Sequence, residues 1–261
     1  MGKLIIEEHG DIVVATMSNV ERHNAQDSGI HAGFKEFWPY LKESEKLKVC
    51  ILTGDGDKAF SSGHDLKEAA EQYASGQIKP DYAEGASLGY PHLFQTGKVI
   101  IAAINGYCFA GGLLTALGCH LRMCSRTAVF GNPQVRRGRG SRVPVHLRRA
   151  GVPTAVAMDL VLTGDRIDAE RAYQVGLVSR IFDDKQALLD GAMAVAKQIA
   201  ANSPRAVAAP IRAWEAGIID WPMSMAFGVW DQITEAMVHD DDYRERTLQF
   251  ASHEGPGSQK A

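Results

Sequence analysis

The sequence predicts an α/β protein, and three features carry that prediction. Two apolar runs, KVCILTG at 48–54 and KVIIAAING at 98–106, lack the polar alternation of a half-exposed strand and read as strands covered on both faces. Segments with helical spacing stand between such runs, so strands and helices interleave. From Asp184 onward nearly the whole chain reads as helix. At 261 residues and 45% apolar content, it can bury one large core with at most a small appendage.

In chain order, KLIIEEHGDIVVATM (3–17) predicts two short strands around a His-Gly-Asp turn, a hairpin signal. NVERHNAQDSG is a polar loop. IHAGFKEFWPYLKESEK places Ile30, Phe34, Phe37 and Leu41 on one helical face and feeds the first buried strand. KAFSSGHDLKEAAEQYA passes from a Ser/Gly turn into a helix that begins near Asp65, and Ser75 to Gly89 reads as a polar, mobile stretch. After the second buried strand, GYCFAGGLLTALGCHLRMCS gives a glycine turn, an apolar helix and a further strand. TAVFGNPQ is a short strand, and PTAVAMDLVLTGDRIDAERAYQVGLVSRIF gives two helices around a Thr-Gly-Asp turn. The Gly/Ser tail is expected to fray. No internal repeat of fixed period and no low-complexity segment is visible.

Charge narrows the function. With 28 Lys and Arg against 31 Asp and Glu, the net charge of −3 gives no global basic field, which argues against nucleic acid as a partner. The basicity is local: FGNPQVRRGRGSR (130–142) holds Arg136, Arg137, Arg139 and Arg142, with Arg148 and Arg149 just beyond. No acidic residue occurs between Glu84 and Asp159, a stretch of 74 residues where the average frequency would place about nine. No run reaches the roughly 18 apolar residues that cross a bilayer, and no signal-peptide pattern opens the chain, so a cytoplasmic location is expected. Cys50, Cys108, Cys119 and Cys124 lack paired C-x-x-C spacing and sit in apolar runs, which reads as buried free thiols rather than disulfides or a metal site.

Two strand-to-helix turns, FSSGHDLKE and NGYCFAGGLLTA, bring backbone N–H groups to a helix start with no side chain in the way. Such donors suit an anion or a developing oxyanion, although either turn alone is a common structural device. Together, and followed by AVFGNPQV and LVLTGDRIDAERAYQVGLVSRIF, they give four blocks whose order and spacing resemble the crotonase (enoyl-CoA hydratase/isomerase) superfamily along nearly the whole chain. That resemblance implies a spiral core of stacked β-β-α turns over residues 1–195. It also implies a helical C-terminal region over 196–261 that closes the pocket and forms a homotrimer or a hexamer built as a dimer of trimers. The apolar C-terminal helices with Trp214, Trp221 and Trp230 fit a subunit face or internal core equally well.

The resemblance further implies an acyl-coenzyme A thioester as substrate, with the coenzyme as part of that substrate, no separate cofactor, and no metal. The positions that match the family's oxyanion hole are the main-chain amides of His64 and Gly111; the His64 imidazole is a separate matter, with packing beside the turn as the plainer reading. Arg22, Asn24 and Ala25 match the adenine-side loop, with Ser62, Asp65 and Leu66 on the other wall. A solvated loop is the alternative for Arg22. No phosphate-binding glycine loop of the G-x-x-x-x-G-K-[ST] or G-x-G-x-x-G kind precedes a suitable helix.

The pattern fails where hydration needs it. The two glutamates that position and activate water in family hydratases fall on Leu114 and Gln134. Leu114 moves no proton, and the Gln134 amide cannot act as a general base near neutral pH. Arginine suggests another chemistry: guanidinium binds carboxylate bidentately, so Arg136 and Arg142 become candidates for an anionic acyl group. Solvent, a neighbouring subunit and the coenzyme phosphates are the competing partners for each. Three functions follow as expectations: a hydratase/isomerase-like enzyme with weak hydration, a decarboxylase or lyase of a carboxylated acyl-CoA, and a non-catalytic acyl-CoA binding protein.

Overall fold

The computed structural model describes residues 1–76 and 96–202, with 207, 208, 211, 244, 245 and 248 as isolated positions. The hairpin forms as its turn suggests: β1 (Lys3–His9) pairs antiparallel with β2 (Ile12–Ser18), His9 opposite Ile12. Helix α1 (Ser28–Glu43) is capped by Asp27, whose carboxylate accepts from the Ile30 amide. It buries Ile30, Phe34, Phe37 and Leu41, and Trp38 as well.

From there the chain makes three β-β-α turns. In the first, β3 (Val49–Gly54) is followed by a short β4 (Ala59–Ser61) and α2 (Leu66–Ala74). In the second, β5 (Val99–Ile104) leads to β6 (Tyr107–Phe109) and α3 (Gly111–Leu117). In the third, β7 (Leu121–Ser125) leads to β8 (Val129–Gly131), a 3-10 turn (Pro133–Arg137) and α4 (Val143–Arg149). Then come α5 (Thr154–Thr163), β9 (Arg166–Asp168), α6 (Ala169–Gln174), β10 (Arg180–Phe182) and α7 (Lys185–Ala200).

The long strands stack into a six-stranded sheet ordered β1-β2-β3-β5-β7-β10, parallel beyond the hairpin. The short strands stack in the same sequence into a four-stranded sheet ordered β4-β6-β8-β9. Gly54 and Gly106 stand at the corners between the sheets. A Cβ on Gly54 would meet the Ala59 carbonyl and one on Gly106 the Lys58 carbonyl, so only glycine permits the sharp change of direction.

The apolar runs owe their continuity to burial on both faces of the first sheet. Cys50, Leu52, Ile100 and Ala102 join α1's Phe34 and Trp38 in one core. Their neighbours Ile51, Ile101 and Ala103 join Leu188, Ala192 and Ala196 of α7 in the other. Helix α7 runs unbroken through 195–196, with Val195 and Ala196 in this second core. Trp214, Trp221 and Trp230 and most of 75–89 lie outside the described residues. Among the described residues no helix is long and apolar enough to cross a membrane.

Candidate active site

The first turn of the spiral brings the loop after β2 against the segment after β4. Arg22 pairs with Asp65 at 2.7 Å, the carboxylate almost fully buried and the guanidinium partly exposed. Asp65 also caps α2, accepting from the Lys67 and Glu68 amides at 2.9 and 3.0 Å. Ser62 closes the same corner, its amide donating to the His23 carbonyl and its hydroxyl to the Arg22 carbonyl. Arg22, Ser62 and Asp65 therefore come together, with half-buried Leu66 next in the chain. Asn24 differs. Its carboxamide donates to the Asp55 and Ala59 carbonyls and accepts from the Asn19 amide, which commits that side chain to bracing the fold. Ala25 is buried beside it, its carbonyl held by Asn19.

Deeper in, the two glycine turns meet. A Cβ built on Gly63 would lie 2.9 Å from the Gly111 nitrogen, and one built on Gly111 would lie 3.4 Å from the His64 nitrogen. The approach needs Gly63, whose φ of +95° is in the region other residues avoid, and Gly112, where a Cβ would collide with the Ser61 carbonyl. Gln26 pairs with this segment through the Gly63 carbonyl at 2.7 Å and the Asp65 amide at 3.2 Å. Parallel pairing of that kind turns the His64 amide to the opposite side of the strand, toward Gly111. Gly111 opens α3, so its N–H is among those a helix cannot satisfy internally.

Gln26 also reaches across the site. Its Nε2 donates to the Thr115 hydroxyl at 2.9 Å, and that hydroxyl donates to the Gly111 carbonyl at 3.0 Å. One residue thus ties the His64 segment, through its main chain, to the Gly111 helix, through its side chain. The sequence gives no sign of this, because Gln26 and Thr115 are 89 positions apart.

The His64 imidazole stacks on His31 of α1, with centroids 5.5 Å apart and planes 29° from parallel. Burial holds the His64 ring well below the usual histidine pKa, and His31, Arg139 and Arg137 push it the same way. His31, absent from the sequence reading, is lowered chiefly by burial too. The glycine-turn helix carries Leu114 at 5% exposure. Gln134 lies in the 3-10 turn that follows β8, and the Gly131 carbonyl of that strand accepts from the Ala110 amide beside Gly111. Gln134 is 7% exposed, and its Oε1 is buried with no hydrogen-bond partner among the described residues.

The arginines divide. Arg136 is exposed and turned outward, its guanidinium 2.6 Å from Asp165 and its Nε donating to the Thr163 carbonyl. Arg137, Arg139 and Arg142 are half-buried, and it is Arg137 and Arg139 whose charge reaches His64. Of the two arginines singled out from the sequence, Arg136 is thus committed to a surface pair. In a 3-10 turn successive side chains point about 120° apart, so Arg136 and Arg137 face different ways. The cysteines offer no nucleophile. All four are buried, and burial pushes the Cys119 and Cys124 thiols up to about 12. No cluster of three or more His, Cys, Asp or Glu residues suited to a metal occurs among the described residues.

Known proteins share this architecture. The enoyl-CoA hydratase/isomerase family matches residues 7–256. A carnitinyl-CoA dehydratase of Citrobacter koseri is 35% identical over 202 residues, covering 77% of this chain and 76% of that protein. Among solved structures, an enoyl-CoA hydratase/isomerase from Xanthobacter autotrophicus Py2 superimposes with a TM-score of 0.85 at 26% identity, covering 99% of each chain. A carnitinyl-CoA dehydratase from Mycobacterium avium 104 does so at 0.83 and 28% identity, covering 96% of this chain and 98% of the other. The paired glycine turns, the two-sheet spiral and these matches agree: the chain belongs to the enoyl-CoA hydratase/isomerase family of the crotonase superfamily.

Proposed function

We propose that this protein binds an acyl-CoA thioester and polarises its carbonyl between the main-chain amides of His64 and Gly111, without the two-glutamate chemistry of hydration. The observation that supports this most directly is the close approach of those two amides, fixed by Gly63 and Gly112 and clamped by Gln26. An enolate drawn from a thioester concentrates negative charge on one oxygen. Two preorganised donors in a site shielded from water stabilise that charge, and the loss of one such donor typically costs 10²–10³-fold in rate. Asp65 directly follows His64 in the chain, and the Arg22–Asp65 corner suits the adenine end of the coenzyme, through its main chain and the guanidinium.

Leu114 and Gln134 stand where hydration would need acids, and general acid–base catalysis contributes about 10²–10⁴-fold per group. Crotonyl-CoA hydration, followed by mass spectrometry, should therefore be slow in the unmodified protein and rise at least tenfold in the Leu114→Glu/Gln134→Glu variant. Rapid hydration by the unmodified protein would overturn the reading. Loss of carbon dioxide from a carboxylated acyl-CoA is the second reaction such a hole serves, because the departing carboxylate supplies the electron pair and no protein base is needed. The positive charge that Arg137 and Arg139 bring to His64 favours it.

A further inference from the structure

Helix α3, GGLLTAL, is buried along its whole length, and Thr115 is its one polar side chain. A hydroxyl in such a place needs partners within the fold. Its hydrogen goes to the Gly111 carbonyl at 3.0 Å, one turn back on the same helix. The oxygen is therefore left to accept, and buried Gln26 supplies the donor, its Nε2 2.9 Å away. That choice turns Gln26 Oε1 the other way. A Cβ built on Gly111 would lie 3.4 Å from this Oε1 and 3.4 Å from the His64 nitrogen, so the carboxamide stands where the two glycine turns meet. The main chain of Gln26 holds both flanks of His64, donating to the Gly63 carbonyl at 2.7 Å and accepting from the Asp65 amide at 3.2 Å.

We propose that Gln26 and Thr115 are positioning residues that set the spacing and aim of the His64 and Gly111 amides. This rests on the oxyanion-hole reading above and adds to it the side chains on which the hole depends. The two amides belong to different turns of the spiral, and the β4–β6 ladder that brings those turns together ends at Ser61 and Cys108, short of both. Beyond it, the hydrogen bonds of Gln26 and Thr115 carry the link across. Stability alone does not call for such a pair, because two apolar groups of the same shape are nearly neutral or better in its place. Hydrogen bonds add what apolar packing does not, a fixed distance and direction. The hole needs both: its donors act at about 2.7–3.1 Å from the oxyanion, and a misplacement of about 1 Å costs on the order of 10²-fold in rate.

The test reads the carbonyl ¹³C resonance of bound, carbonyl-labelled butyryl-CoA in the unmodified protein and in Thr115→Val, Thr115→Ser, Gln26→Met and Gln26→Met/Thr115→Val. Coenzyme A affinity by calorimetry and the urea midpoint are measured beside it. Thr115→Val and Gln26→Met should each lose about half or more of the downfield displacement while coenzyme A affinity stays within about twofold. Thr115→Ser keeps the hydroxyl and should keep the displacement. The double variant should lose no more displacement than the worse single one, since the two side chains act as one unit, and should unfold at a higher urea concentration than the single variants, which leave a polar partner buried and unsatisfied. Full displacement in both Thr115→Val and Gln26→Met overturns the assignment. So does a loss that Thr115→Ser shares, or one that tracks coenzyme A affinity and the urea midpoint across the variants, because the residues would then only hold the fold. Where a single variant does not fold, the double variant decides: reduced displacement supports the assignment and full displacement overturns it. No binding of butyryl-CoA by the unmodified protein, or binding without displacement, overturns the oxyanion-hole reading itself.

Discussion

Ala110 lies at φ 47° and ψ −111°, a conformation that L-residues avoid and glycine accepts. Its ψ sets the plane of the peptide that carries the Gly111 N–H, so the strain sits where the amide is aimed. Glycine at this position relieves that strain while surrendering one buried methyl and some backbone entropy. Ala110→Gly should therefore keep full stability in urea unfolding or gain up to about 1 kcal/mol. By contrast Ala116→Gly, inside α3, should lose about 1 kcal/mol or more. Equal losses at both positions would contradict the assignment of strain. Single residues also show where sequence was readable. His64, Gly111, Leu114 and Gln134 stand in turns whose order and spacing can be read in the sequence. The contacts of Gln26 with Thr115 and of His31 with His64 cannot, because they exist only once the spiral closes.

Among elements, those with a long apolar signal were legible and those of three residues mostly were not. Strands β3 and β5 announce themselves through six consecutive buried positions each. Strands β4, β6, β9 and β10 span three residues apiece, too few to display a period, and the sequence folds them into turns and loops. Helix α4 was hidden by its approach: GRGSR reads as loop, yet VPVHLRR turns as a helix, with Pro144 in its first turn and Val143, His146 and Leu147 buried. The same stretch shows why the arginines were hard to rank. Composition places them together, but the 3-10 geometry sends Arg136 outward to Asp165 while Arg137 and, just beyond the turn, Arg139 are half-buried.

At the scale of the whole molecule, burial of imidazoles makes stability depend on pH. His64 is held well below its ordinary pKa, His31 is lowered, and burial takes His120 down to about 4, its Nδ1 accepting from the Ile100 amide. Each is neutral when folded but gains a proton near pH 6.5 when unfolded. Their contribution to stability is therefore complete above about pH 6.5 and is lost as pH falls from there toward the folded values, about 4 for His120. Urea unfolding at pH 7.5 and pH 5 should show the loss, and His64→Gln should make it shallower. Stability that stays level across that interval would mean that these rings are protonated in the fold.

The central claim concerns one oxygen atom, and ¹³C NMR of bound [1-¹³C]butyryl-CoA reads it directly. Hydrogen bonds from the His64 and Gly111 amides would withdraw electron density from the carbonyl of a thioester held between them. The account predicts a bound carbonyl resonance downfield of the free thioester. A resonance that stays at the free position while the ligand is saturably bound would show that no oxyanion hole acts on it, and would contradict the account.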